Sequence, residues 1–237
     1  MIKDGRVYTL LRSTNMTAVP IEPRGMALAD GVLCTADAFA GRIITINVAG
    51  TSFEDVAEDA WYAAAVKDAT LRGLTNGVDA THFDPKGTTT RAMAVTMLSR
   101  IYQSTDGSAV IGGDGTFEDV PDGAWYAGAV RWAVDAGITN GVGNGFAPND
   151  TLTRETLVTM LYRFAQYLEL DVSVGEDTNI LSYEDAFDID EWAIPAMQWA
   201  VGAGIIQGSD GALSPRANAD RSQCAKIMVG FMDAYGL

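Results

Sequence analysis

Three arginines, Arg91, Arg154 and Arg221, each stand directly after a residue able to cap a helix: Thr90, Thr153 and Asp220. Thr and Asp side chains accept hydrogen bonds from the unpaired amides of a first turn, so each arginine is expected as the first helical residue. A guanidinium held there can grip a carboxylate with two parallel bonds, while free amides and the helix dipole favour the same negative charge. A lysine would offer only a point charge. The alternative reading pairs each arginine with an internal acid, Asp55, Asp119 or Asp185. Trp61, Trp125 and Trp192 recur in the same way and offer a flat apolar face with an indole N–H, or else act as wedges between packed units. Gly77, Gly141 and Gly208 either let backbone approach a ligand or simply make a turn.

These residues recur because the chain itself repeats, which outranks other sequence signals. Phe53-Glu54-Asp55-Val56 with Trp61-Tyr62 returns 64 residues later as Phe117-Glu118-Asp119-Val120 with Trp125-Tyr126, and 66 further on as Tyr183-Glu184-Asp185 with Trp192. Each unit reads as helix, loop, helix. The first helices cover Ala64 to Leu71, Ala129 to Ala136 and Ala196 to Val201, and stop at Gly73, Gly137 and Gly204, where a left-handed residue ends a helix. Tight loops with Phe83-Asp84-Pro85, Phe146-Ala147-Pro148 and Leu213-Ser214-Pro215 lead to the capped second helices. There Met93, Met97, Leu98 and Ile101, then Leu157, Met160, Leu161 and Phe164, then Ile227, Met228 and Phe231 keep helical spacing and are expected in the core. Trp132 and Trp199 are read as packing residues.

The expected divisions are 1–50, 51–108, 109–172 and 173–237. Residues 104–108 with 112–115, and 174–179, are polar and Gly-rich and are expected as exposed links. The first segment differs from the rest: strand-like Arg6 to Leu11 and Arg42 to Val48 are separated by Pro20, Pro23, Gly25 and Gly31, as in a small β-rich leader or the remnant of an upstream domain.

Composition narrows the function. The 237 residues are 48% hydrophobic and 20% charged, which is enough to bury a core. A net charge of −15 argues against a nucleic-acid ligand, whose phosphates need Lys and Arg. Cys34 and Cys224 fit neither a disulfide framework nor a metal site and are expected as small buried residues. No apolar run could span a bilayer, so membrane insertion is not expected, and Met1 to Gly5 lacks the apolar core of a secretory signal. That leaves an intracellular chain or a piece of a larger exported protein.

Phe-x-Asp-Val, Trp, an Ala/Val helix ending in Gly, Thr-Asn-Gly, Phe-x-Pro and Thr-Arg, in fixed order and three copies over residues 53 to about 235, resemble the S-layer homology domain. The resemblance implies a mainly α fold, a pseudo-threefold assembly of three helix-loop-helix repeats. It also implies non-covalent attachment of surface proteins to secondary cell-wall polysaccharide, commonly pyruvylated, in grooves between copies, with no cofactor or metal. Localisation would be extracellular, at the cell wall or surface, and self-association through a parent S-layer-like protein is a further partner. Carried over by position, the family's Thr-Arg-Ala-Glu falls on Thr90 to Met93, Thr153 to Thr156 and Asp220 to Gln223. The arginine persists, while Met93, Thr156 and Gln223 stand where the family has glutamate. On this basis Arg91, Arg154, Arg221, Trp61, Trp125, Trp192, Gly77, Gly141 and Gly208 are the candidate carbohydrate-binding residues.

An acidic protein holding an acidic polymer is no contradiction, because salt screens charge beyond about 8 Å and a local arginine pocket dominates. No calcium-loop spacing supports a bridging ion. Two other classes stand beside this reading. A glycan-active enzyme would need paired carboxylates, yet the recurrent ones are where turns or caps are expected. The single histidine, His82, is unrepeated and expected in an exposed loop. The other is a protein-interaction module whose helices dock another chain, which nothing in the sequence excludes.

Overall fold

A computed structural model describes residues 53–106 and 117–237, preceded by five strands. Ile2–Lys3 (β1) pairs antiparallel with Arg6–Val7 (β2). Pro23–Ala29 (β3), Val32–Asp37 (β4) and Arg42–Asn47 (β5) form an antiparallel sheet in chain order. Pro23 and Gly25 were expected between strands and lie within β3, where the register shifts between Pro23 and Met26. Proline is tolerated at the first position of a strand and glycine at a bulge. Tyr8 to Leu11, the Cys34 side chain and the boundaries at 50/51 and 108/109 fall outside the described residues.

The remainder is mainly α. Ala63–Leu71 (α1) and Arg91–Asp106 (α2) form the first repeat, Ala127–Asp135 (α3) and Arg154–Tyr167 (α4) the second, Ile194–Gly202 (α5) and Arg221–Tyr235 (α6) the third. Gly73, Gly137 and Gly204 end the first helices at φ +71°, +69° and +70°, left-handed values that glycine adopts without steric cost. The second helices all begin at the arginine. Thr153 and Asp220 side chains accept from the amides of Thr156 and Gln223, and the Asp220 amide in turn donates to Gln223 Oε1. That reciprocal pair is a capping box, so Gln223 does at the third helix what a glutamate does in the same position.

The helices pack across repeats as well as within them. α1 lies on α6, α3 on α2 and α5 on α4, so each first helix rests on the second helix of the preceding repeat and the series closes on itself. At the centre a ring of backbone bonds joins the copies: Leu152 N–H donates to Thr89 O at 3.2 Å, Ala219 N–H to Leu152 O at 2.8 Å, and Thr89 N–H to Ala219 O at 3.3 Å. Around it Leu98, Ile101, Leu157, Leu161, Phe164, Met228 and Phe231 are buried, together with Trp132 and Trp199. The Trp199 indole donates to the Tyr235 hydroxyl at 2.9 Å, which satisfies its one polar atom.

Three expectations need correction. Met93 is half-buried and lines a cleft, because its position on α2 faces a seam between repeats. Ser104 to Asp106 belong to α2, since Ser104 and Thr105 hydroxyls donate back to Ile101 O and extend the last turn. The 174–179 link is exposed at Val174, Glu176, Asp177 and Asn179 as expected, but Gly175 is buried against α5, where a Cβ would meet the Trp199 backbone at 3.0 Å.

Candidate functional site

Each recurrent aspartate organises the loop that follows α1, α3 or α5. Asp55 accepts from Phe83 N–H at 2.8 Å and Asp84 N–H at 2.6 Å; Asp119 from Phe146 and Ala147 at 2.8 and 2.7 Å; Asp185 from Leu213 and Ser214 at 2.8 and 2.6 Å. The second residue of each pair, Asp84, Ala147 or Ser214, sits at φ +57°, +57° or +53°. Non-glycine residues rarely adopt such values, and the carboxylate clamp holds them there. The backbone bond from Phe146 is also the main reason the Asp119 carboxyl titrates below its ordinary range.

The arginines take the opposite side of the same loops, one repeat further round. Arg91 Nε donates to Phe146 O at 2.9 Å, Arg154 Nε to Leu213 O at 2.9 Å and Arg221 Nε to Phe83 O at 2.8 Å. Arg91 and Arg221 also donate through Nη2 to Asn140 O and Asn76 O, both at 2.8 Å, and stack over Phe146 and Phe83 at 4.7 and 4.6 Å. Among the described residues none of the three forms a salt bridge with a carboxylate. The loop peptide thus stands between arginine and aspartate, and the guanidinium charge is not cancelled by direct contact. Burial pushes all three arginines below their ordinary pKa.

They differ in what remains open. Arg91 is only 8% exposed and has Thr139 Oγ1 as a third acceptor at 3.4 Å, whereas Arg154 and Arg221 are half-buried. Among the described residues neither terminal nitrogen of Arg154 has a hydrogen-bond partner, and in the third repeat Gln207 O accepts from the Tyr183 hydroxyl. The free amides expected at the helix starts are not there. Arg91, Arg154 and Arg221 N–H donate to Asp150, Ala217 and Gly87 carbonyls, and the next amides to Pro148, Pro215 and Pro85. These helix-start amides are therefore not open to an anion.

A cleft of ≈ 160 Å³ lies where the three repeats meet, lined by Asn76, Met93, Met97, Arg100, Trp125 and Arg221 among others. Arg100, whose Nη1 donates to Leu74 O at 2.8 Å, brings a second guanidinium that sequence reasoning missed. Its signal was recurrence: Arg163 stands nine residues after Arg154 as Arg100 does after Arg91, with Gly230 in the third copy. Trp61, Trp125 and Trp192 are 54%, 64% and 51% exposed, and Trp125 forms part of this cleft wall. Trp61 lies 5.9 Å from Lys226 Nζ, and the Trp192 indole donates to Asp190 at 3.2 Å. The glycines serve their own loops. A Cβ on Gly77, Gly141 or Gly208 would approach a carbonyl of its own repeat to 2.5, 2.7 or 2.4 Å, so the close approach is to the chain itself.

His82 is exposed and bonds Asp79, which raises its pKa. The buried Cys224 thiol is pushed up to about 12 by burial and is free. Among the described residues no cluster of His, Cys, Asp or Glu could hold a metal, and no helix is long and apolar enough to cross a membrane.

Three capped helices closed into a ring, each sending an arginine across a seam, define a pseudo-threefold repeat module, with a cleft lined by Arg100 and Arg221 where the repeats meet. The S-layer homology domain matches residues 52–94, 116–157 and 182–225, and the chain belongs to that family. It is 30% identical to an amylopullulanase of Thermoanaerobacterium thermosulfurigenes over 78% of this chain and 10% of that protein. It is 27% identical to the S-layer protein sap of Bacillus anthracis over 85% of this chain and 24% of that one. Likeness to a cellulosome-anchoring protein of Acetivibrio thermocellus is 25% over 67% of this chain and 34% of the other. The chain spans only about a tenth to a third of these relatives.

Proposed function

We propose that this module anchors a longer surface protein to the cell wall by binding an acidic secondary wall polysaccharide, such as a pyruvylated one, in its inter-repeat clefts. The carrying observation is Arg221, which lines the cleft beside Arg100 and the exposed face of Trp125 without a carboxylate in ion-pair contact. Two guanidiniums suit an acidic substituent, and an indole face suits the apolar side of a sugar ring. The cleft is smaller than the ~300 Å³ of pockets that engulf a ligand, which fits a terminal sugar entering from an open polymer. The relatives support attachment over catalysis: this stretch is common to proteins named as an amylopullulanase, an S-layer protein and a cellulosome anchor, whose other functions differ. Several clefts on one rigid body would add avidity.

The test is retention on purified wall polysaccharide before and after chemical removal of its acidic substituents, with wild type and an Arg100→Ala/Arg221→Ala variant. Retention lost on either change supports the reading. Equal retention on the stripped polymer, or hydrolysis of the polymer, overturns it.

A further inference from the structure

A second cavity, of ≈ 590 Å³, lies wholly within the third repeat and shares no lining residue with the cleft of Arg221. Leu181, Phe187 and Ile194 are among its apolar lining residues, and Glu176, Asp177 and Glu191 are its charged ones. Phe187 is 89% exposed and Leu181 66%, and the two line the same opening. The corresponding stretches of the first and second repeats, between Asp55 and Trp61 and between Asp119 and Trp125, carry no Phe, Leu or Ile. The cavity is braced. Gln198 Nε2 donates to Thr178 O at 2.9 Å, Thr178 Oγ1 to Val174 O at 2.6 Å and Leu181 N–H to Asn179 Oδ1 at 2.9 Å, while Gly175 is pressed against α5.

Charge selects the occupant. From Phe164 to Pro215 the chain has ten Asp and Glu and no Lys or Arg, and Arg216, the next residue, pairs with Asp190 at 2.9 Å and leaves the other nine without an ion-pair partner among the described residues. Across that field a second copy of the same repeat would bring like charges together, and an acidic polymer would be repelled. We propose that this face docks a cationic polypeptide segment of a partner protein, whose apolar side chain enters beside Phe187 while flanking Lys or Arg residues meet Glu176, Asp177 and Glu191. Apolar anchors in a desolvated pocket supply most of such affinity, and the charged rim supplies selection and encounter rate.

The test is fluorescence anisotropy on the full chain with three labelled synthetic peptides of equal length: a Lys-flanked Leu-Phe peptide, its Glu-flanked counterpart, and a Lys peptide with Ser in place of Leu and Phe. Phe187→Ser is the companion variant, chosen because so exposed a ring contributes little to the fold. The expected result is saturable binding of the Lys-flanked Leu-Phe peptide alone, weakened about tenfold or more by Phe187→Ser and weakened again by raised salt. Retention of that variant on wall polysaccharide stays at the wild-type level, which separates this face from the anchoring clefts. Equal binding of the Ser-substituted peptide, equal binding of the Glu-flanked one, no effect of Phe187→Ser, or a Phe187-dependent dimer in sedimentation each overturns the proposal.

Discussion

Arg91, Arg154 and Arg221 do the same mechanical work, tying a helix start to the next repeat's loop, but they leave different amounts of charge open. Arg91 spends its guanidinium on Phe146, Thr139 and Asn140 and is buried, so it is chiefly a structural tie. Its replacement by Ala leaves buried carbonyls unpaired and should cost about 2–3 kcal/mol, measured by urea denaturation. The Arg154 side chain makes one hydrogen bond among the described residues, through Nε, and its two terminal nitrogens have none there. Arg154→Ala should lower wall-polysaccharide affinity by at least about tenfold, as expected for a charge-assisted bond of about 1.5–3 kcal/mol, with a smaller stability loss than Arg91→Ala. An Arg154 variant that binds normally removes that residue from the site. Asp119 gives a pH signature. Its native pKa is lowered by the Phe146 amide, so its stabilising effect is complete above the ordinary carboxylate pKa and disappears as pH falls through the native value. The Tm difference between wild type and Asp119→Asn should therefore be widest near neutral pH and close in acid.

At the scale of elements, the loop between helices is the part that had to be exact. Gly141 admits the Phe117 ring, which a Cβ would meet at 2.6 Å, and the Gly145 carbonyl at 2.7 Å. Gly141→Ala should therefore destabilise the protein by about 1–3 kcal/mol in thermal or urea denaturation, the usual cost of overpacking. The helix spans were readable because periodicity, caps and terminal glycines agree in each copy. The link at 174–179 was legible as exposed, but its buried glycine was not. Its polar, Gly-rich composition fits an exposed connector, yet Gly175 is there because Trp199 leaves no room for a side chain, a contact between segments with no local signal. Met93 was misplaced for a related reason: helical spacing identifies a face, but not whether the neighbour across that face is packed core or an open seam.

The whole molecule is a closed ring. α1 rests on α6, and Arg72 reinforces the closure by reaching Asp68 at 2.9 Å, Asp233 at 3.1 Å and the Leu237 carbonyl at 2.9 Å. Stability should then be shared among all the repeats, unlike an open solenoid that tolerates loss at its ends. A variant lacking residues 173–237 exposes the α1 face that α6 covers, removes the acceptors of Arg154 and opens the central backbone ring. It should lose the single cooperative urea transition of the full chain, monitored by circular dichroism. A truncated form that retains a sharp transition would show that two repeats suffice.

The amino-acid pattern alone settled the copy number, the helix order, the arginine at the head of every second helix and the family, because each rests on local chemistry repeated in register. Three-dimensional packing alone decided the rest. The arginines bind the following repeat's carbonyls instead of an acid, the helix-start amides are consumed at the seams, and Arg100 joins Arg221 and Trp125 in one cleft. Those facts depend on which repeat neighbours which face, and ring closure brings together residues as far apart as Arg221 and Asn76. Spacing along a chain carries no record of that adjacency until the last helix has met the first.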